Sequence, residues 1–525
     1  MKNTRHRLKK WNINGKNIFY YLKQTGKIKY IFLVYLIITI ILSLFLYWPI
    51  SHKNMLVEKP DFNYGDALFI AASAFSDTGL SNINISEGFN EFGQSVIAIG
   101  ILIGGFGFFT LKLYILRMLF GWMFKTKTSH FKRDLIQVER GSTVVGDTQN
   151  IIKVSLTTLF ILLFTSIIFM TFYFYFSNEG FFSDQKALIN NDIEHFNPYL
   201  KQKYNPHNNI LLSLRYATFE SISAINNAGF DIIGPNSINA YNSSYVLQIW
   251  IIILILAGGM GYPTIYDFYK KIQAKIKKQR YEFTLFTKLN LTTYFLVTTI
   301  GILFTFLFEV INKNPNGFWH QNEYGNSFNK SFAIIFNTLS TRSAGFSTVD
   351  YYHFSNQTIL LHAVLMFIGF APVSTAGGIR NITVAIIFLS IFNTIRGRNT
   401  INSFNRQIGK ETLIKAINIL TIGLILILIG TFIVSFNLSD LTPANLSKNE
   451  KQYTIVSAFF EVCSAFGSSG LSTGITEKLN LTSKLFLIIY MFIGQLGITS
   501  TILVWGNQKS YVTKYRYIYE DVSLG

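Results

Sequence analysis

Four stretches of small and polar residues return along the chain, each lodged between long runs of Ile, Leu and Phe. They read SAFSDTGLS from Ser73, SAINNAGFD from Ser223, LSTRSAGFS from Leu339 and SAFGSSGLS from Ser464. Each has glycine at its seventh position: Gly79, Gly229, Gly345 and Gly470. A motif that recurs four times constrains the fold more than any other feature here, because one architecture has to accommodate all four copies.

The flanking runs set the solvent. Ile31–Ile50, Ser95–Thr110, Ile151–Phe176, Val246–Gly261, Leu291–Phe308, Ile359–Phe370, Leu413–Phe436 and Leu485–Val504 are apolar, and crossing a bilayer takes roughly 20 such residues. Charged residues make up 14% of the 525-residue chain, against about 25% in soluble domains. The chain is an integral membrane protein with the lipid bilayer as its surroundings. No small-residue cleavage site follows the first run, so it reads as a retained helix rather than a signal peptide.

The net charge of +19 is explained by topology. Basic residues crowd the amino terminus, Lys125–Arg140, YKKIQAKIKKQR (Tyr269–Arg280), RGRN (Arg396–Asn399) and the tail. Basic loops alternating with less basic ones follow the positive-inside rule, which puts both termini in the cytoplasm and makes the number of spans even. Nucleic-acid binding is not expected. Cys463 is the single cysteine, so there is no intrachain disulfide and no cysteine-based metal site.

Before each nonapeptide lies an apolar stretch of about three helical turns, too short to cross and typical of a re-entrant segment. The unit is span, half-helix, glycine loop, span. Its four copies give an all-α membrane fold of eight spans, pseudo-fourfold about one central pore. The expected segments are a basic N-terminus at 1–29 and repeats at 30–120, 151–270, 288–394 and 412–506. Cytoplasmic loops at 121–150, 271–287 and 395–411 and a tail at 507–525 join and close them. A second glycine feature follows each loop in register: LIGGFGFF at Leu102, LAGGMGYP at Leu256, FIGFAPVSTAGG at Phe367 and FIGQLGITS at Phe492. A polar insertion between Ser177 and Asn209 is expected to lie outside.

Non-helical backbone survives at membrane depth only when buried in protein or lining a wet cavity. Carbonyls from four loops around one axis can replace the hydration shell of an alkali ion, and glycine leaves that axis unobstructed. Each half-helix would aim its partially negative carboxyl end at the same place. The loops therefore read as quarters of a cation filter. Asp77, Asp231, Asp350 and Glu477 would concentrate cations at its outer mouth. Glu220 and Glu461 lie within the half-helices and read as hydrogen-bonding supports of the loops, direct ion contact being the alternative. Arg342 should point away from the axis and pair with an acid, and Arg215 the same. GFAPVSTAGGIR (Gly369–Arg380) breaks what should be a helix, either as a gate below the filter or as a simple kink.

The four loops, NNAGF (Asn226–Phe230), FEVCSAFGSSGLSTG (Phe460–Gly474) and STAGGI (Ser374–Ile379) resemble the Trk/Ktr/HKT superfamily of potassium transporters, most closely its KtrB membrane subunits, over about Ile31 to Val504. The resemblance implies that the four glycines line a selectivity filter binding the transported potassium ion. With their neighbours they make the ion-binding set Thr78 and Gly79; Asn227, Ala228 and Gly229; Ser343, Ala344 and Gly345; and Ser468, Ser469 and Gly470. It implies a gating loop carrying Gly369, Ser374, Thr375, Ala376, Gly377, Gly378 and Arg380. Glycine at the first filter position points to potassium over sodium, with sodium as a possible coupling ion and no organic cofactor. It also implies a homodimer in the cell membrane, seated on a cytoplasmic nucleotide-binding regulatory ring (KtrA/TrkA-like). Two departures stand out: Gln495 replaces the usual arginine of the last span, and Arg380 replaces a lysine. An inverted-repeat carrier for another small solute and a membrane-embedded transferase are the rival readings.

Overall fold

The computed structural model describes residues 27–53, 62–107, 110–111, 148–177, 205–234, 237–398, 400–436, 453–498 and 501. The basic amino terminus, the inner loop at 121–147, most of the polar insertion and the tail lie outside the described residues.

Among the described residues, fourteen helices of twelve residues or more carry the architecture. They are α1 (Lys27–Tyr47), α2 (Tyr64–Phe75), α3 (Glu91–Phe106), α4 (Thr148–Phe176), α5 (Ile210–Asn226), α6 (Tyr245–Gly259) and α7 (Tyr262–Ile276). There follow α8 (Leu285–Ile311), α9 (Ser327–Ser340), α10 (Asn356–Phe367), α11 (Asn381–Ile395), α12 (Lys410–Phe436), α13 (Ile455–Gly467) and α14 (Leu481–Leu496). Long, short and medium helices alternate in the order the apolar runs and half-helices lead one to expect.

Among the described residues, four helices are each long and apolar enough to cross a bilayer: α1, α4, α8 and α12. Their outward faces are greasy, as with Leu303, Phe304 and Leu307 on α8 and Leu424, Leu428 and Phe432 on α12. The second helix of each unit is shorter than the roughly 20 residues that a crossing takes, with 16 residues in α3, 15 in α6, 12 in α10 and 16 in α14. Three of them stop at a glycine in the left-handed region, Gly107 (φ 77°), Gly261 (φ 81°) and Gly497 (φ 86°). Beyond Gly261 the chain turns by 102° into α7. Side-chain caps set the starts of α3, α10 and α14: Asn90 accepts from Phe92 and Gly93 N, Ser355 from Thr358 N, and Asn480 from Ser483 N.

Packing closes on itself. Each short half-helix lies on the long helix before it: α2 on α1, α5 on α4, α9 on α8 and α13 on α12. The helix that follows it then packs on the next half-helix in sequence: α3 on α5, α6 on α9, α10 on α13, and α14 back on α2. Glycines permit this approach. A Cβ on Gly104, Gly258 or Gly494 would lie closer than 3.0 Å to the carbonyl of Phe75, Ile225 or Phe466, the last turn of its own half-helix.

One feature departs from an all-α expectation. Ile401–Ser403 and Arg406–Ile408 pair as an antiparallel ribbon inside the segment expected to be a plain cytoplasmic loop. Phe404 and Asn405 form its two-residue turn, both at positive φ (47° and 61°), the geometry that suits the right-handed twist of a hairpin.

Candidate functional site

All four nonapeptides take the same backbone path. The residue two before the glycine is left-handed in every copy: Asp77 (φ 51°), Asn227 (57°), Ser343 (72°) and Ser468 (46°). The glycines follow at 87°, 70°, 81° and 83°. Short polar side chains tolerate this region better than bulky ones, which accounts for Asp, Asn and Ser in that seat. Each loop folds back on its half-helix through the residue before the glycine: Thr78 N donates to Ser73 O (2.9 Å), Ala228 N to Ser223 O (2.8 Å), Ala344 N to Ser340 O (3.0 Å) and Ser469 N to Ser464 O (3.0 Å).

The loops then meet in cyclic order. A Cβ on Gly79 would fall closer than 3.0 Å to the carbonyl oxygen of Ala228, one on Gly229 to that of Ala344, one on Gly345 to that of Ser469, and one on Gly470 to that of Thr78. The fourth contact returns to the first loop. Thr78, Asn227, Ala228, Ser343, Ala344, Ser468 and Ser469 are all buried, so the ring residues named from the sequence lie together.

Each loop is braced from behind at the residue three past its glycine. Glu220 accepts from Ile232 N (3.2 Å). Glu461 accepts from Thr473 N (3.0 Å) and from the hydroxyls of Thr473 (3.4 Å), Thr476 (2.9 Å) and Ser472 (2.5 Å). In the third unit Asn337 does this work, its Oδ1 accepting from Thr348 N (3.3 Å) while its Nδ2 donates to the Thr348 hydroxyl (3.0 Å). The first unit has Ile70 nine residues before its glycine, and its brace comes from one turn earlier. Asp66 accepts from Asn82 Nδ2 (2.6 Å) and pairs with Lys484 of α14 (2.8 Å).

Sequence reading missed Asn337, Asp66 and Lys484. Spacing could have found Asn337, one residue out of step with Glu220 and Glu461. Nothing local points from Asp66 to Lys484.

The acidic residues expected at one outer mouth do not occupy equivalent positions. Asp77 lies in the buried seat before its glycine, while Asp350 caps a one-turn helix by accepting from Tyr352 N (2.9 Å).

Beneath the ring, Gly369–Arg380 runs as a buried loop between α10 and α11. It is tied to the ring, since Gly377 N donates to Ser343 Oγ (3.0 Å), which itself donates to Gly467 O (2.6 Å). It is tied to the fourth half-helix through Gly378 N on Phe466 O (3.1 Å), and to the α6–α7 bend through Tyr262 N on Val373 O (3.0 Å). Ser374 Oγ donates to Ala371 O (2.7 Å) and accepts from Ala376 N (3.2 Å), a local turn.

Arg342 is fully buried, and its expected acidic partner is absent among the described contacts. Its Nη2 donates to Gly369 O (2.8 Å) and Asn381 Oδ1 (2.5 Å), and its guanidinium lies 5.5 Å from the Tyr294 ring centre. Neutral acceptors and a π face take the place of a carboxylate because the chain reverses here, leaving the carbonyl that starts the loop open. Arg215 does meet an acid, Glu91, at 2.6 Å.

The loop borders a cavity of about 110 Å³, lined also by Gly104, Thr375, Arg380 and Gln495. Arg380 donates through Nη1 to Ala376 O and through Nη2 to the main-chain oxygen of Gln495 (3.0 Å). The Gln495 side chain donates to Phe75 O (3.1 Å). Among the described residues that line this cavity, Arg380 is the only charged one.

A family model described as TrkH, a cation transport protein, matches residues 36–512. The chain belongs to that family. It is accordingly a transport protein and not an enzyme. The chain is 32% identical over 511 residues to a cation transporter of Mycoplasma genitalium, MG322, covering 89% of each chain. It is 30% identical over 498 residues to the Ktr system potassium uptake protein D of Bacillus subtilis, covering 94% of this chain and 96% of that one. The crystal structure of the potassium transporter TrkH from Vibrio parahaemolyticus matches with a TM-score of 0.59 at 15% identity, over 96% of this chain and 87% of that one. At that identity the match speaks for the fold.

Proposed function

We propose that this protein takes up potassium across the cell membrane, conducting the dehydrated ion through the four glycine loops. The observation that carries the reading is the cyclic succession of carbonyls at Thr78, Ala228, Ala344 and Ser469 against the four glycines. Carbonyl dipoles around one axis stand in for the ion's water shell. Four half-helices ending at the loops add partial negative charge, about half an elementary charge each. The fold then counts as eight crossing segments, pseudo-fourfold about the pore, with both termini in the cytoplasm.

On this reading Gly369–Arg380 gates the path from below. It sits under the ring, is held by hydrogen bonds from main-chain amides and from the Arg342 and Arg380 guanidinium groups, and brings the Arg380 charge into the adjoining cavity. A fixed cation there opposes the passage of another. Two copies of the chain on a cytoplasmic nucleotide-binding ring would release it, and sodium is a candidate coupling ion.

Rubidium influx into proteoliposomes tests the proposal. Wild type should admit rubidium and potassium well ahead of sodium, and Gly79→Ser should lose that preference. A serine variant with unaltered selectivity would remove the loops from the filter.

A further inference from the structure

The α7 helix has a surface that neither the loops nor their supports explain. Its first half is wedged into the protein through Tyr262, Thr264, Ile265 and Asp267, and Ala274 continues the buried side toward its end. Tyr269, Ile272 and Ile276 lie on the opposite side at helical spacing, and they are 38%, 60% and 77% exposed. Lys270 and Lys277 border this stripe on one flank, Lys271 and Lys275 on the other, and Lys278 ends it. An apolar stripe edged by lysines suits a helix lying in the headgroup layer. The 102° turn from α6 directs α7 away from the axis of that apolar helix. Lys270 and Lys271 also rest on the Tyr266 and Phe283 rings, at 4.7 and 4.1 Å, amphipathic rings of the kind that gather at a membrane surface.

The beginning of α7 is joined to the loop beneath the ring. Besides the Tyr262–Val373 bond, Ala371 N donates to Gly259 O (3.3 Å), and a Cβ on Gly261 would press on the carbonyl of Pro372. Val373 is itself left-handed, at φ 61°, a conformation that costs a β-branched residue energy and needs support from its neighbours.

We propose that α7 binds anionic phospholipid headgroups and transmits that binding to the Gly369–Arg380 loop through Tyr262 and Val373. The second half of the proposal rests on the gating reading given above. Lipid drawn to the lysines seats Ile272 and Ile276 in the acyl boundary and pulls the helix outward. The Tyr262 donor then withdraws from Val373 O, and the loop is freer to leave its closed path. A lysine close to an anionic surface contributes about a fivefold factor in binding, so the lysines of this helix together make it strongly selective for charged lipid.

A spin label on Ile272→Cys, in a Cys463→Ala background, reports the binding directly. The protein is reconstituted in phosphatidylcholine alone or with a quarter phosphatidylglycerol. In the mixed bilayer the label should become accessible to oxygen and shielded from a water-soluble nickel complex. Changing Lys270, Lys271, Lys275, Lys277 and Lys278 to Gln should abolish the difference. Equal accessibility in both lipids, or a response that survives the glutamines, overturns the binding; accessibility that changes only with an added cytoplasmic protein assigns the stripe to a protein partner and overturns it too. Rubidium influx in the same vesicles tests the coupling, with about a fivefold rise expected in the mixed bilayer. A seated label with unchanged influx overturns the coupling alone. Absence of influx in every lipid counts against the uptake reading, while the label still decides the binding.

Discussion

The four glycine loops and the four breaks beneath them are built on different plans. The loops share left-handed residues at the same two positions, a closing hydrogen bond from the residue before the glycine (one residue tighter in the third loop) and one contact to the next loop. The breaks share only a place in the unit: three are single glycines at the ends of α3, α6 and α14, and the fourth is the twelve-residue stretch Gly369–Arg380. A ring that holds one ion centrally needs four matched walls, because a carbonyl out of place leaves a side of the ion unsolvated. Blocking a path needs one obstruction. On the proposed reading, in which the loops hold the ion and Gly369–Arg380 gates its path, uniformity above and asymmetry below are what those two tasks require.

The sharpest way to break the comparison is to place the same substitution at both levels. Gly345 and Gly497 both have φ above 80°, yet a Cβ on Gly345 meets the backbones of Gly229 and Ser469, whereas one on Gly497 meets nothing within 4 Å among the described residues. Gly345→Ala should reduce rubidium influx to background. Gly497→Ala should cost only conformational strain, about 1–2 kcal/mol, and leave most of the influx. Equal losses would erase the distinction between ring and break.

The supports come next. Glu461→Ala strands the donors of Ser472, Thr473 and Thr476 and should destabilise the protein by about 3 kcal/mol, read from thermal unfolding. Asn337→Ala removes a neutral group with fewer partners and should cost less, so a larger loss at Asn337 would show that the third unit is supported differently.

Below the ring, Arg380→Gln removes the cavity's cation and its two carbonyl contacts. Charge-assisted bonds of this kind contribute 1.5 kcal/mol or more, so basal influx should rise about tenfold. An unchanged rate would mean that this cation does not hold the loop.

The smallest effect is expected farthest from the axis. Burial pushes the Asp267 carboxyl up, but the hydrogen bonds it accepts from Thr284, Thr287 and Tyr281 outweigh that and hold its pKa below the ordinary value. A depressed carboxylate stabilises the fold above its unfolded pKa of about 3.9, and this is lost as pH falls through the lower folded value. Asp267→Asn should melt earlier at neutral pH and lose that share of the acid-side decline. Melting curves of both proteins across the acid range check it.

Much of this molecule is local and therefore readable in one dimension. Glycine seats are visible because positive φ is a demand on a single residue. The half-helices are visible because they are apolar but too short to cross, and the long first helices because their length is the bilayer's. Glu220 and Glu461 stood out as carboxylates inside apolar helices, where an ionisable group needs partners. The second apolar runs read as full spans, but α3, α6 and α14 end at or just before Gly107, Gly261 and Gly497, where positive φ turns the chain.

The sequence by itself determined the membrane, the repeated unit and the left-handed turns, since each follows from composition or from the conformational limits of one residue. Only the tertiary structure decided which loop faces which and that the fourth returns to the first. It alone paired Asp66 with Lys484 across 418 residues, gave Arg342 a carbonyl instead of an acid, and put Arg380 against Gln495. Those contacts join segments remote along the chain, and buried polar groups take whichever partner the packing brings within reach. Patterns along a sequence say that such a group needs a partner; the closure of the helices around one another says which.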